Sequence, residues 1–205
     1  MNIFITGIGT DVGKTIASAI ITEALEADYW KPIQAGDIEN GDTDKIKRLI
    51  SNKKTVFHPN CYALQTPASP HYAAQLDGIE IKVNNIKRPI TKNHLIIEGA
   101  GGLLVPLNNY HTILDLIDPS DSVVVVSRHY LGSINHTLLT YEVLKQNNIN
   151  VLGIVFSGDE NQATESIILQ KTKWKFLLRI NEEPYFDANV VKYYAEMIKE
   201  HLNFI

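Results

Sequence analysis

The residues most clearly suited to a chemical role lie near the N-terminus, in the run Gly7-Ile8-Gly9-Thr10-Asp11-Val12-Gly13-Lys14-Thr15. A glycine-bearing loop can turn successive backbone N–H groups toward one point, where they bind the oxygens of a polyphosphate. The Lys14 ammonium is then expected along the β- and γ-phosphates, and the Thr15 hydroxyl is expected to ligate Mg²⁺. The common pattern has four residues between its two glycines, whereas five separate Gly7 from Gly13, so this loop is a lengthened variant.

A strand and a helix must flank this loop if it is to bind phosphate. Ile3, Phe4 and Ile5 form a short apolar run of strand type, and residues 16–21 have helical character. That order places the loop at the positive end of the helix dipole, which favours anions. The competing interpretation is a glycine-rich turn that only joins strand to helix and leaves Lys14 in solvent.

A second candidate group follows the apolar run at residues 94–97, in Glu98-Gly99-Ala100-Gly101-Gly102. A carboxylate at the end of a buried strand needs a cation or donors beside it, so Glu98 is a candidate Mg²⁺ ligand near the phosphates. Gly99 and Gly101 let the backbone approach a ligand closely. Alternatively, Glu98 has the structural role of capping a turn.

Lys31 precedes Pro32 and is therefore expected to be extended, within a second short strand at residues 29–34. Ligands of open α/β sheets lie beyond the carboxyl ends of the strands, so a lysine at this end can face the phosphates. By pattern alone, a solvated strand end is the simpler interpretation of Lys31.

An acidic cluster, Asp42-Thr43-Asp44, precedes the amphipathic helix predicted at residues 45–50. Asp42 or Thr43 fits the N-cap of this helix, and Asp44 in the first turn fits the helix dipole. Another helix is predicted to start at Ser69-Pro70, which leaves His71 on the surface in its first turn.

The remaining chain alternates buried strands with helices. Residues 55–68 contain two prolines and little periodicity, which indicates a loop. Gly132 and Ser133 at a helix start fit either a carboxylate or phosphate site or an ordinary cap. Strands are predicted at residues 122–127, 151–156 and 175–180, and helices at residues 134–146, 160–171 and 188–202. This alternation predicts a three-layer α/β/α fold with a mainly parallel sheet.

The length and composition limit the domain number, the partners and the compartment that this chain can have. The 205 residues can bury one substantial core, so we expect a single domain over residues 1–205. With 19 Lys and Arg against 23 Asp and Glu, the net charge of −4 gives no electrostatic case for nucleic acid as a partner. The lone Cys61 fits a reducing compartment. Because no apolar run approaches a membrane span, we expect a cytoplasmic protein without a membrane partner.

Five motifs together resemble the dethiobiotin synthetase family, whose fold is P-loop NTPase-like. They are the lengthened phosphate loop and, in chain order, Lys31-Pro32-Ile33-Gln34, Pro67-Ala68-Ser69-Pro70-His71, Glu98-Gly99-Ala100-Gly101-Gly102 and Leu131-Gly132-Ser133-Ile134-Asn135-His136. Other P-loop ATPases share single motifs, whereas the combination is specific to this family. The C-terminal quarter of the chain matches weakly.

The resemblance implies ATP-dependent ring closure in biotin biosynthesis, in which 7,8-diaminononanoate, CO₂ and ATP give dethiobiotin, ADP and phosphate. One amine captures CO₂ as a carbamate, the carbamate oxygen attacks the γ-phosphate, and the second amine closes the ureido ring by displacing phosphate. Phosphoryl transfer of this kind needs neutralised charge and aligned reactants more than a protein nucleophile. The resemblance also implies a homodimer.

Roles follow from the resemblance position by position. Lys14 is expected to stabilise the transferring phosphoryl group and Lys31 the carbamate, which reverses the pattern-only interpretation of Lys31. The expected Mg²⁺ ligands are Thr15, Asp44 and Glu98. The expected nucleotide- and phosphate-binding residues are Gly9, Thr10, Asp11, Val12, Gly13, Lys14, Thr15, Ile16, Glu98 and Ser157. The expected substrate-binding residues are Thr10, Lys31, Ala35, Gly99, Gly101 and, from the helix start of the neighbouring subunit, Gly132, Ser133 and Asn135.

The chain departs from the family pattern at two points. Ala35 stands where the family usually has a Ser or Thr that touches the substrate, so one hydrogen bond is missing or comes from backbone. Ser157 and Gly158 stand where the family tends to place an Asn that reads adenine, and the chain ends early. The sequence therefore predicts weak discrimination among nucleoside triphosphates, which a comparison of kcat/KM for ATP, GTP and CTP tests.

Two other functions share these features. A nucleotide-switched partitioning or positioning ATPase has the same strand, loop and helix, but usually carries an extra lysine early in the loop, where this chain has Ile8 and Gly9. The acidic balance also counts against that function. An ATP-dependent amide-forming synthase acting on a larger carboxylate is disfavoured by the small chain, which has no glutaminase domain.

Overall fold

The computed structural model describes residues 1–202, and the last three residues of the predicted 1–205 domain lie outside this range. The strands are β1 Asn2–Gly7, β2 Asp28–Trp30, β3 Ile33–Ala35, β4 Phe57–His58, β5 Tyr62–Leu64, β6 Leu95–Gly102, β7 Ser122–Arg128, β8 Val151–Ser157 and β9 Phe176–Ile180. The helices are α1 Lys14–Leu25, α2 Asp42–Leu49, α3 Pro70–Leu76, α4 Ser133–Gln146, α5 Gln162–Thr172 and α6 Ala188–Leu202, with short 3₁₀ turns at Ile38–Asn40, Val83–Asn85 and Ile113–Leu116.

Seven strands form one parallel sheet in the order β4-β2-β6-β1-β7-β8-β9. Its central strands are apolar along their length because both faces are covered, as Ile3–Ile5 of β1 and Val123–Val126 of β7 show. Helices α1, α2 and α6 pack against one another, and α4 packs against α5. The predicted α/β fold with a mainly parallel sheet is confirmed.

Parallel pairing brings the carboxyl ends of the strands to one edge of the sheet. Gly7 at the end of β1 pairs with Gly102 of β6 and with Val126 of β7. At the same edge, Arg128 of β7 pairs with Ser157 of β8. Everything that follows these strand ends, including the loop that leads into α1, therefore faces one region above the sheet.

The prediction of a single strand at residues 29–34 is wrong. β2 ends at Trp30, and β3 begins at Ile33 in a separate two-stranded sheet with β5. Pro32 lacks the N–H that a central strand needs for its ladder, so the chain leaves the main sheet at Lys31. This departure directs Lys31 into the interior, where it is 4 % exposed.

The loop predicted at residues 55–68 is also partly wrong, because it contains the short strands β4 and β5. These strands have two and three residues, too few for a pattern of alternation to be visible in the sequence. Helix α2 starts at Asp42 with Gly41 as its N-cap, so neither Asp42 nor Thr43 is the cap. Within residues 1–202, no helix is long and apolar enough to cross a membrane.

Candidate active site

The loop between β1 and α1 is shaped for an anion. Gly13 is the N-cap of α1 in the left-handed conformation, with φ of 94°, and no side chain caps the helix. The first N–H groups of α1 therefore point into the space above the loop, where phosphate oxygens can bind them. A Cβ on Gly7 would lie 2.5 Å from Cγ2 of Val12, so the loop folds back closely on its own start.

Lys31 is the centre of a buried charged cluster beside this loop. Its Nζ lies 2.7 Å from Oδ2 of Asp42 and 2.9 Å from Oε1 of Glu98. Nζ also donates to the carbonyl oxygen of Gly99 at 3.1 Å. One ammonium therefore neutralises two carboxylates that burial would otherwise disfavour.

Glu98 uses both of its oxygens. Oε1 accepts a hydrogen bond from the Thr15 hydroxyl at 3.0 Å as well as from Lys31, and Oε2 accepts from the Tyr29 hydroxyl at 2.9 Å. Glu98 is 1 % exposed and lies inside β6, which continues to Gly102. The carboxylate therefore links α1, the helix that follows the phosphate loop, to strand β2.

Burial and charge shift the pKa values of this cluster in opposite directions. Burial opposes the charge on Lys31, but Glu98 and Asp42 outweigh it and raise the pKa of Lys31. Burial likewise opposes ionisation of Asp42, yet Lys31 holds the Asp42 pKa below its usual value. Burial and the charge of Lys31 lower the pKa of Lys14 to about 8. Burial, aided by Glu98, raises the pKa of Tyr29 well above its usual value, so its hydroxyl stays a neutral donor.

A cavity of about 1200 Å³ opens above the loop and the cluster. It collects most of the residues that the sequence predicted for the site, and those lining it are Thr10, Asp11, Val12, Gly13, Lys14, Thr15, Ile16, Lys31, Ala35, Glu98 and Gly101. Gly9 and Gly99 take part through backbone, since their carbonyl oxygens accept from Lys14 at 2.8 Å and from Lys31. The cavity is large enough for a nucleotide and a small substrate together.

Asp44, predicted as a Mg²⁺ ligand, lies outside the cluster, and Asp42 lies there instead. Asp44 pairs with Lys47 at 3.0 Å, and its side chain is 39 % exposed. The reason is that α2 starts at Asp42, and the side chain of this first helical residue points toward Lys31. A residue two positions further along a helix points about 200° away around the axis, so Asp44 faces outward.

Besides Gly9, Gly99 and Asp44, four predicted residues do not line the cavity of their own chain. Ser157 ends β8, and its Oγ lies 2.9 Å from the position of a Cβ on Gly13, so it packs beneath the loop. The other three lie at the start of α4, where Ser133 is buried while Gly132 and Asn135 are exposed. Their expected place opposite a neighbouring subunit stays a prediction.

The structure adds cavity residues that the sequence did not predict. Arg128, at the end of β7, pairs with Glu182 at 2.9 Å and donates to the carbonyl oxygen of Asp11 at 3.3 Å. Phe186 and Asp187, just before α6, line the same cavity. No local pattern marks Phe186 and Asp187, because only the folded chain brings the segment before α6 to the phosphate loop. For Asp42, the available signal was its place one residue after Gly41.

The oxygen atoms of Thr15, Asp42 and Glu98 form a donor set that fits Mg²⁺. Over residues 1–202, no group of three or more His, Cys, Asp or Glu side chains could hold a metal ion. Mg²⁺ is usually bound by one or two carboxylates together with substrate phosphates and water, so a hydroxyl and two carboxylates beside a phosphate loop suffice. The Lys31 ammonium between Asp42 and Glu98 shows that this space accepts a positive charge.

The parallel sheet, the loop after its central strand and the lysine and threonine at the start of α1 together define a P-loop nucleotide-binding protein. A family model for an AAA domain matches residues 1–190. Solved structures share the fold: the cell-division ATPase MinD of Pyrococcus furiosus has a TM-score of 0.62 at 16% identity, covering 97% of this chain and 98% of that one. A putative plasmid partition protein of Borrelia burgdorferi has a TM-score of 0.61 at 16% identity, covering 100% and 98%.

Sequence similarity identifies the family of P-loop proteins to which the chain belongs. The ATP-dependent dethiobiotin synthetase BioD of Christiangramia forsetii is 61% identical over 199 residues, which cover 97% of this chain and 96% of that protein. The enzyme of the same name from Cytophaga hutchinsonii is 52% identical, covering 94% of each chain. The chain therefore belongs to the ATP-dependent dethiobiotin synthetase family, and the resemblance noted from its motifs is confirmed. The MinD and partition proteins are alike in fold alone.

Proposed function

We propose that this protein is an ATP-dependent cyclo-ligase that makes dethiobiotin from 7,8-diaminononanoate, CO₂ and ATP, with ADP and phosphate as the other products. The observation that carries the proposal is the buried Lys31 ammonium, which lies between Asp42 and Glu98 next to the phosphate loop. A nucleotide-switched partitioning ATPase usually has its extra lysine in the loop itself, whereas Lys31 directly follows strand β2. A reaction through a carbamate uses a buried lysine at this point, because a carbamate and its phosphorylated form are anions.

In the proposed reaction, one amine of the substrate adds to the carbon of CO₂ and loses a proton, which gives a carbamate. A carbamate oxygen then attacks the γ-phosphorus of ATP, and the bond to the bridging oxygen breaks to release ADP. The second amine attacks the carbamoyl carbon and expels phosphate, closing the five-membered urea. The protein contributes alignment and charge rather than a nucleophile.

The residues divide these tasks by position. Gly9 to Gly13 and the start of α1 would hold the β- and γ-phosphates, with Lys14 neutralising charge on the transferring group. Lys31 would stabilise the carbamate. Thr15, Asp42 and Glu98 would hold Mg²⁺, which when bound supplies further positive charge at the phosphate oxygens.

The remaining assignments extend the proposal. Thr10, Ala35, Gly99 and Gly101 would contact the diamine. Gly132, Ser133 and Asn135 would bind its carboxylate in the neighbouring subunit of a homodimer, at the start of α4. We further propose that residues 1–205 form one domain and that the protein acts in the cytoplasm. With Ser157 in place of the usual Asn, the protein should discriminate only weakly between ATP and other nucleoside triphosphates.

One assay tests the reaction. The purified protein is incubated with 7,8-diaminononanoate, bicarbonate, ATP and Mg²⁺, and the product is analysed by mass spectrometry. We expect dethiobiotin in equal amount to the ADP formed, and no product when the diamine or Mg²⁺ is omitted. ATP hydrolysis that neither depends on the diamine nor yields the cyclic urea would refute the proposal.

A further inference from the structure

Tyr29 is a completely buried residue whose hydroxyl reaches the charged cluster. It lies on β2, paired with Ile96 of β6 and with Phe57 of β4, and its exposure is 0 %. Its ring lies 5.9 Å from that of Phe57. A phenylalanine would fill such an apolar position in the sheet, so packing alone does not account for the hydroxyl.

The Tyr29 hydroxyl binds one oxygen of the Glu98 carboxylate, and the other oxygen has different partners. It donates to Oε2 at 2.9 Å, while Oε1 faces the Thr15 hydroxyl at 3.0 Å and the Lys31 ammonium at 2.9 Å. Because Glu98 is 1 % exposed, bulk solvent cannot replace a lost partner of Oε2. Loss of the Tyr29 hydroxyl would remove the hydrogen bond that Oε2 receives, and this favours rotation of the carboxylate away from its place beside Thr15.

We propose that Tyr29 is a positioning residue that fixes Oε2 of Glu98 so that Oε1 is presented to Mg²⁺ beside Thr15. This inference rests on the proposed function, in which Glu98 is a Mg²⁺ ligand. Groups that hydrogen-bond to a metal-binding carboxylate orient it, and their removal typically costs about 10- to 100-fold in metal affinity. Tyr29 itself does not line the cavity, and its hydroxyl reaches the site through its hydrogen bond to Glu98, which does line it.

Tyr29→Phe tests the proposal, with Tyr194→Phe as its matched control. Tyr194 is 2 % exposed, and its hydroxyl donates to Glu183 and accepts from the backbone N–H of Asn181, so its variant also removes a hydrogen-bonded tyrosine hydroxyl, away from the cluster. Two quantities are measured: Mg²⁺ affinity of the ADP-bound protein by calorimetry, and the Mg²⁺ dependence of dethiobiotin formation. We expect Tyr29→Phe to weaken Mg²⁺ binding about tenfold or more with an unchanged KM for the diamine.

The control separates positioning from general stability. If the Tyr29 hydroxyl has a purely structural role, Tyr29→Phe behaves like Tyr194→Phe. Both variants then have a lower melting temperature and a Mg²⁺ affinity within about twofold of wild type. That result for Tyr29→Phe would overturn the inference. A second test is the same substitution in a Glu98→Gln background, where the loss of Mg²⁺ affinity should shrink because the two residues act as one unit. An undiminished loss there would also overturn it.

A structure of the wild-type protein with ADP and Mg²⁺ makes the test independent of how the variants fold. We expect the Tyr29 hydroxyl to stay on Oε2 of Glu98 while Oε1 faces the cation, and a Tyr29 that has left Glu98 would contradict the inference. Failure of the proposed function looks different. In that case the wild-type protein itself forms no dethiobiotin, whatever the Mg²⁺ affinity of Tyr29→Phe.

Discussion

At the scale of single residues, the chemistry depends on which acidic side chain reaches Lys31. Asp42 and Asp44 differ by two positions in α2, yet only Asp42 contacts Nζ of Lys31, at 2.7 Å. Asp44 contacts Lys47 on the surface instead. The two residue types alone did not decide between them, because the direction in which a helical side chain points depends on where the helix starts; Gly41, the N-cap, is the sequence signal for that start.

This pair gives a sharp mutational prediction. Asp42→Asn should lower the turnover of dethiobiotin formation by about 100-fold or more, because it removes a proposed Mg²⁺ ligand and one of the two acidic partners of Lys31. Asp44→Asn should stay within about twofold of wild type, since exposed ion pairs contribute little. Initial rates at saturating ATP, diamine and Mg²⁺ measure both variants. A larger loss for Asp44→Asn would restore the assignment from the sequence.

Lys14 gives a prediction about pH. Because its pKa is lowered to about 8, the ammonium in the free protein loses its proton in mildly alkaline solution, whereas the raised pKa of Lys31 keeps that residue charged. ADP affinity without Mg²⁺ should fall above about pH 8, by at most about tenfold per pH unit. Calorimetry over a pH series tests this. Lys14→Met should bind ADP more weakly but without this pH dependence, and an equally steep decline in that variant would contradict the assignment.

The same shift has a consequence for folding. The pKa of Lys14 in the folded protein lies below its ordinary value of 10.5, so the unfolded chain holds more protons between about pH 8 and that value. Its burial therefore costs stability in full below pH 8, and this cost declines as the pH rises. The phosphate loop keeps a destabilising lysine because binding of an anion requires one.

At the scale of elements, the sequence predicted long, regular features better than short ones. The valine run of β7 and the loop between β1 and α1 were recognisable because apolar strands and Gly-Lys-Thr carry local signals. The break after β2 was not predicted, although Pro32 was visible, because an extended residue before proline fits either a continuous strand or a departure from the sheet. That break is what buries Lys31.

The loop itself supports a prediction about its glycines. Gly13 has φ of 94°, and a Cβ there would lie 2.9 Å from Oγ of Ser157, whereas a Cβ on Gly9 would meet nothing within 4 Å. Gly13→Ala should lower the free energy of unfolding by about 1–3 kcal/mol, because an alanine in the left-handed region is strained. Gly9→Ala should change it by less than about 0.5 kcal/mol. Denaturant unfolding of the two variants measures the difference, and equal losses would show that the loop relaxes freely.

At the scale of the whole molecule, the cavity is closed by parts of the chain that are distant in sequence. Parallel pairing predicted that the ends of β1 and β6 meet, since all carboxyl ends of such a sheet share one edge. The contribution of Phe186 and Asp187 was not predictable, because it depends on where the folded chain places the segment before α6. Long-range closure of this kind leaves no periodic trace in a sequence.

The proposed homodimer leads to a prediction that only the assembled molecule can answer. Lys31 lines the cavity, whereas Asn135 is exposed on α4 and does not line the cavity of its own chain. If each site takes Lys31 from one subunit and Asn135 from the other, a dimer of Lys31→Met with Asn135→Ala contains one intact site. Random pairing after co-expression should then restore about a quarter of wild-type sites. Dethiobiotin formation is measured at a diamine concentration well below KM, where each variant alone is weak.

The control for this experiment is co-expression of Lys31→Met with the double variant Lys31→Met/Asn135→Ala, because no pairing of these chains has an intact site. Activity should appear only in the first mixture and should rise with the fraction of mixed dimers isolated by two affinity tags. If Lys31 and Asn135 served the same site from one chain, every site in the mixed dimer would carry a substitution. The first mixture would then be no more active than the average of its two parents, and the shared site would have to be abandoned.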